Sequence, residues 1–312
     1  MNFQGQHILS ITQFEQSDFL DVFEITKRIE KAFLDKNANL FHLLDDTVIA
    51  TLFYEPSTRT KLSFQSAAVR LGAQIISENG VQFSSLYKGE TFYDTAQMVS
   101  QYSDLIVMRH PETGSVAQFS KGSRVPVINA GDGIGEHPTQ AFLDGYTIIK
   151  DKKNLDNLHI TFVGDLKYGR TVHSLVKVLM HFSGVHFQFI SPKELNIPDY
   201  IYEMLKKSGC SYEWTENFTD IEKNTDVVYM TRIQKERFSS EQEYLQYKGV
   251  YILDKNVMNT LSRNSIIMHP LPRIDEILTE VDKDSRARYF QQAGNGVFVR
   301  MALLSLCLGK NF

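Results

Sequence analysis

Cysteine is almost missing from this sequence: Cys210 and Cys307 are the only two in 312 residues, and neither has a Cys or His partner at metal-ligand spacing. They read as buried or bystander thiols, a disulfide framework is excluded, and a reducing cytosolic compartment fits. Long apolar runs are missing as well, since none approaches the ~20 residues that span a bilayer. The opening MNFQGQHILS lacks the cationic start and apolar centre of a secretory leader. There is no cationic excess: 33 Lys and Arg against 37 Asp and Glu leave a net charge of −4, which argues against a general nucleic-acid binder. No Walker loop, carboxylate pair, Ser-His-Asp order or metal-ligand cluster stands out. The expectation is a soluble, cytoplasmic protein that contacts neither membrane nor nucleic acid and carries neither cofactor nor metal.

The length suits two domains. Apolar periodicity predicts a helix over 16–34 with Phe19, Val22, Phe23, Ile29 and Phe33 on one face. A strand at 47–53 leads to a helix at 57–71, with Leu62, Ala67 and Leu71 as core contacts. A strand at 73–77, a loop at 78–90, a helix near 91–102 and apolar runs at 104–108 and 125–129 follow. From 158 the rhythm restarts with HITFVG, a helix at 170–182, HFQFIS, a helix around 199–207, DVVYMT, GVYIL and SIIMH. This alternation predicts an α/β protein of two domains, each a parallel sheet flanked by helices, with the active site in the crevice between them. The expected divisions are 1–138 and 139–291, with the apolar C-terminal helix in 292–312 packing back on the first domain.

Polar clusters follow the predicted strands: PSTRT, RHPE, AGDGIGEHPTQ, GDLKYGR, TRIQKER and HPLPR. Ligands in open parallel sheets bind at the carboxyl ends of strands. PSTRT (56–60) sets hydroxyls and Arg59 at a helix start with no acid to balance the positive helix end. That suits a phosphate, although Ser57 reads equally as an ordinary N-cap. Gly131, Gly133 and Gly135 do not have dinucleotide-binding spacing. His137 stands where it could donate to an oxyanion, or could be a structural hydrogen bonder. Arg59, Lys88, Arg109, Arg170, Arg232 and Arg273 form a cationic set that suits anionic substrates, or ordinary surface ion pairs. Such a site would work by positioning and electrostatics.

Taken together, PSTRTKLSF, SSLYKGET, VMRHPE, NAGDGIGEHPTQAFLD, VGDLKYGRTVHS, YMTRIQKER, MHPLPRIDEI and YFQQAGNGVF closely resemble the catalytic chains of the aspartate carbamoyltransferase family along essentially the whole length. HPTQ, Lys88 and HPLPR set the chain apart from the related ornithine carbamoyltransferases. The resemblance implies transfer of the carbamoyl group of carbamoyl phosphate to L-aspartate, toward pyrimidines. It implies that Ser57, Thr58, Arg59 and Thr60 bind phosphate, that Thr60, Arg109 and His137 bind the carbonyl oxygen, and that Gln140 binds the amide end. Arg170, Arg232 and Gln234 would hold the aspartate carboxylates. Leu271, through its backbone, and Pro272 match a turn that contains a cis peptide in the family. Ser84, or alternatively Ser85, and Lys88 match a loop that reaches a neighbouring subunit's site, so a homotrimer is implied. DLKYGR and TRIQKER are similar to segments of family members that associate with a separate zinc-containing regulatory chain.

Overall fold

Strand and helix alternate along the chain to give two parallel sheets. The computed structural model describes residues 2–80, 85–234, 238, 240–310 and 312, with Asn79 and Glu243 through their backbone alone. These fall into two units, Met1–Leu143 with Gly294–Phe312, and Asp144–Ala293. The first contains β1 (Val48–Phe53), β2 (Gln74–Asn79), β3 (Leu105–His110) and β4 (Val127–Asp132), in the order β2-β1-β3-β4. The second contains β5 (His159–Val163), β6 (His186–Ile190), β7 (Ser211–Thr215), β8 (Val227–Met230) and β9 (Ile266–Met268), in the order β7-β6-β5-β8-β9. Every pairing is parallel. β3, β4 and β8 are buried at nearly every position, which is why they read as continuous apolar runs.

The helices are α1 (Gln16–Leu34), α2 (Ala38–Phe41), α3 (Thr58–Arg70), α4 (Phe92–Val99), α5 (Ser115–Ser120), α6 (Pro138–Lys152), α7 (Arg170–Leu179), α8 (Asp199–Ser208), α9 (Glu241–Tyr247), α10 (Lys255–Thr260) and α11 (Tyr289–Cys307). None is long and apolar enough to cross a membrane. α3 turns Thr60, Phe64, Ala67 and Ala68 inward, the spacing of one helix face. Leu62, expected in the core, is instead 58% exposed, because it lies roughly 200° around the helix from Thr60. The end of α11 braces α3. Arg300 Nη1 donates to Ser63 Oγ at 2.7 Å and the guanidinium lies 4.9 Å from the Phe64 ring centroid. Phe298 packs against Phe33.

Two expected features of the second unit change. GVYIL (249–253) forms no sheet strand; Leu253 makes one isolated bridge to Ile277, and Tyr251 and Leu253 are buried in the core. Its apolar run is core packing without a ladder. SYEWT (211–215), not anticipated, is the edge strand β7. Its largely exposed residues give no apolar run to read.

A buried carboxylate organises the end of this sheet. Asp144, fully buried, accepts from the Tyr229 hydroxyl at 2.7 Å and from Gln292 Nε2 at 2.6 Å. The other end of Gln292 accepts from the backbone N–H of His269 at 2.9 Å, which ties α11 to the turn after β9. Burial and the Asp144 charge hold the Tyr229 phenol well above its ordinary pKa, so it remains a donor. Tyr229→Phe is expected to lower stability by about 1–3 kcal/mol, because a buried acceptor loses a donor. Urea denaturation reads this, and an unchanged midpoint contradicts it.

Candidate active site

The first unit brings its cluster together through strand order. Phe53 pairs with Arg109 and His110 with Asp132, so the carboxyl ends of β1, β3 and β4 lie side by side. Immediately beyond β1, Ser57 occupies the N-cap of α3, yet its hydroxyl makes no capping bond and the first turn holds no acid. Thr58 and Arg59 are exposed, and Thr60 is buried. The helix start therefore presents N–H groups, hydroxyls and a guanidinium together, the chemistry of an anion cradle.

Arg109 closes one side of this edge. Its Nη2 lies 2.9 Å from Glu55 Oε2 and its Nη1 donates to the Ala130 carbonyl at 3.3 Å. Burial lowers the guanidinium pKa and Glu55 opposes that shift; an arginine so placed keeps its charge at neutral pH. Glu55 has no role in the sequence reading. The pair joins residues far apart in the chain, so no local spacing announces it.

His137 stands just before α6, buried to 4% exposure, and its carbonyl accepts from the N–H groups of Gln140 and Ala141. Gln140 is also buried. The glycine-rich run before His137 is fastened by Asp132, whose carboxylate accepts from Gly114 N and Glu136 N at 2.9 Å each. Gly133 has φ 51°, and a Cβ there would fall 2.6 Å from the Pro111 carbonyl. These glycines allow the loop to lie against 111–113. Close packing accounts for them without a dinucleotide.

Lys88 ends a 3-10 turn, Ser85–Lys88, and is exposed. Ser85 is already engaged, donating to Glu90 Oε2 at 2.6 Å, as does Thr95 Oγ1. Ser84 lies outside the described residues.

In the second unit β5 and β8 are neighbours through Val163 and Met230, which brings GDLKYGR beside TRIQ. Gly164 has φ 116°, and a Cβ there would sit 2.5 Å from the Thr231 carbonyl. Asp165 accepts from Tyr168 N at 3.0 Å and shapes the turn into Arg170, the first residue of α7. Arg232 and Gln234 are half-buried, and Gln234 Nε2 donates to the Tyr168 carbonyl at 3.4 Å. Lys235, Glu236 and Arg237 lie outside the described residues.

The HPLPR turn follows β9. The Leu271–Pro272 bond is cis and Leu271 has φ 57°. Its N–H donates to His269 Nδ1 at 2.7 Å, so the ring proton sits on Nε2 and faces Glu276 Oε1 at 2.7 Å. Neither His269 nor Glu276 figures in the sequence reading as a support for this turn. Arg273, counted there among the site cations, is committed elsewhere: its Nη1 and Nη2 bond Asp282, and Nη1 also donates to Tyr289 Oη at 3.0 Å. Its role is to hold the turn against α11.

The family model for the aspartate/ornithine carbamoyltransferase carbamoyl-P binding domain matches residues 6–150, and that for the Asp/Orn binding domain matches 156–307. The chain is 47% identical over 310 residues to the aspartate carbamoyltransferase catalytic subunit of Methanocella arvoryzae, covering 99% of each. The solved catalytic subunit of M. jannaschii aspartate transcarbamoylase superposes with a TM-score of 0.92 at 43% identity, over 98% of this chain and 99% of that one. Aspartate transcarbamoylase from Trypanosoma cruzi, solved with carbamoyl phosphate and aspartate, gives 0.92 at 37% identity over 98% of both chains.

Burial lowers the pKa of His269, which fixes the sign of a pH effect. Below about pH 6.5 the unfolded chain takes up a proton there that the folded chain resists, so stability falls as pH drops. His269→Gln is expected to show a shallower loss of stability between about pH 7.5 and 5.5 than the parent. Equal slopes in denaturation series at several pH values contradict this.

Proposed function

Because this chain belongs to the aspartate/ornithine carbamoyltransferase family, we propose that it transfers the carbamoyl group of carbamoyl phosphate to the amino group of L-aspartate. The products are N-carbamoyl-L-aspartate and phosphate; the chain is an aspartate carbamoyltransferase. The observation that carries the residue assignment is the start of α3, where Ser57 makes no capping bond and no acid stands in the first turn.

In this reading the first unit, with the end of α11, binds carbamoyl phosphate, and the second binds aspartate. Ser57, Thr58, Arg59 and Thr60 take the phosphate. The neutral aspartate amine attacks the carbonyl carbon, forming the C–N bond. Charge then develops on the carbonyl oxygen, and Thr60, Arg109 and His137 stabilise it, each such donor being worth roughly 2.7–4 kcal/mol. Gln140 orients the carbamoyl amide, as does the Leu271 carbonyl. As the C–O bond to phosphate breaks, Arg59 neutralises the leaving group, and the phosphate itself can accept the amine proton. That removes the need for a basic side chain.

Arg170, Arg232, Gln234 and the Pro272 turn hold the aspartate carboxylates. Together with Lys88, these arginines suit a dicarboxylate and would repel cationic ornithine. The two substrates bring about four negative charges, which this cationic set answers on a mildly acidic chain.

The active form in this proposal is a homotrimer in the cytoplasm, serving pyrimidine biosynthesis, with Ser84 and Lys88 donated to a neighbouring subunit's site. Lys88 on its exposed turn supports this. So do Leu62 and Val69, which are 58% and 62% exposed on α3 and, seven residues apart, share one face. A separate zinc-containing regulatory chain is a further partner in this proposal.

Arg59→Ala is expected to abolish turnover while the circular dichroism spectrum stays native. Near-normal turnover in the folded variant removes Arg59 from the mechanism. For the shared site, His137→Ala and Lys88→Ala are each expected to be nearly inactive, and mixed oligomers of the two to regain part of the activity. Verified mixed oligomers without recovery would place Lys88 in its own chain's site.

A further inference from the structure

At the amino ends of the strands in the second sheet, opposite the edge that carries the substrate motifs, a separate group of side chains converges. Parallel register sets His159 beside His186 and His186 beside Ser211. Two residues further, Gln188 pairs with Glu213. Alternation along a strand puts His186 and Gln188, and likewise Ser211 and Glu213, on one face. Glu222, from the segment before β8, reaches the same place. His186, Glu213 and Glu222 each offer one ligand atom, and the three atoms lie within 4.8 Å of one another.

We propose that His186, Glu213 and Glu222 form a binding site for a zinc-like divalent cation. His186 Nδ1 lies 2.8 Å from Ser211 Oγ. With that hydroxyl accepting the Nδ1 proton, Nε2 carries the lone pair a metal requires. His186 Nε2 is buried and makes no hydrogen bond of good geometry, although Glu222 Oε1 stands 3.2 Å away. A buried polar atom in that condition is destabilising, and a cation between the ring and the two carboxylates relieves it.

The supports for the ligands are in place. His159 Nδ1 lies 3.2 Å from Glu222 Oε2. Gln188 Nε2 donates to Glu213 Oε1 at 2.6 Å, and Gln188 Oε1 accepts from Glu222 N at 3.2 Å and from Thr161 Oγ1 at 3.0 Å. Gln188 thus holds the Glu213 carboxylate and the Glu222 backbone, while His159 faces the Glu222 carboxylate, the kind of support around the ligands that metal sites depend on.

An imidazole with two carboxylates suits zinc or a similar transition metal better than calcium, which prefers an all-oxygen shell. Zinc bonds of ~2.0–2.2 Å place neighbouring ligand atoms roughly 3–3.5 Å apart, so modest side-chain rotation closes the set. The ligands come from three separate segments, so no compact spacing in the sequence reveals them. Bound here, the ion would pin β6, β7 and the segment before β8 together, away from the residues assigned to carbamoyl transfer. The proposal stands apart from that assignment.

The test starts from the full chain stripped with a chelator and dialysed. Zinc is titrated against a chromophoric competitor, with X-ray absorption reporting the ligand set. The expected result is one zinc per chain on nitrogen and oxygen ligands, a raised thermal midpoint, and affinity at least about tenfold weaker in both His186→Ala and Glu222→Gln. If His186→Ala fails to fold, Glu222→Gln decides the matter alone. Absence of binding at millimolar zinc, or equal affinity in the parent and the folded variants, overturns the proposal.

Discussion

The carbamoyl-transfer assignment depends on the positive end of α3, left without an acidic side chain. Partial charge at a helix start favours an anion by roughly 0.3–1 kcal/mol, and up to ~2 kcal/mol where partly buried. Asp or Glu in the first turn complements that charge, as Asp18 does in α1 and Asp94 in α4. α3 instead adds Arg59 and leaves the Ser57 hydroxyl uncommitted to capping. The cost in helix stability is offset by packing: Arg300 on α11 bonds Ser63 and covers Phe64. The last helix of the chain thus steadies a helix whose first turn is reserved for a ligand.

Three other turns at the sheet ends, after β4, β5 and β9, are each held by a polar side chain of the protein itself. Asp132 fastens the glycine-rich run before His137, Asp165 shapes the turn before Arg170, and His269 holds the turn at Leu271. Glu55 holds Arg109 by an ion pair. With these three turns internally satisfied, the residues that flank them are placed by the protein's own hydrogen bonds. That is the preorganisation catalysis by electrostatics requires.

The strand–helix alternation and most strands were legible because buried parallel strands leave apolar runs, and so were the polar clusters that follow them. Leu62 misled because an apolar residue on an amphipathic helix says nothing about its face until the helical phase is fixed. GVYIL misled because a buried apolar segment need not join a ladder, and the half-exposed SYEWT lacked any apolar run. Among charges, Arg273 has the residue type of a site cation, but the fold sets it against Asp282. The Arg109–Glu55 and His269–Glu276 pairs, like the cluster around His186, are products of tertiary placement. Residue types alone identify the cations; only the fold shows which are already engaged.

Acceptor choice is the most direct test of the central claim, because it depends on the cationic set as a whole. The purified chain should be given carbamoyl phosphate with either L-aspartate or L-ornithine, and the carbamoylated product measured colorimetrically. Rapid formation of N-carbamoyl-L-aspartate with no product from ornithine is the predicted result. Preference for ornithine, or no transfer to aspartate by folded protein, would contradict the account.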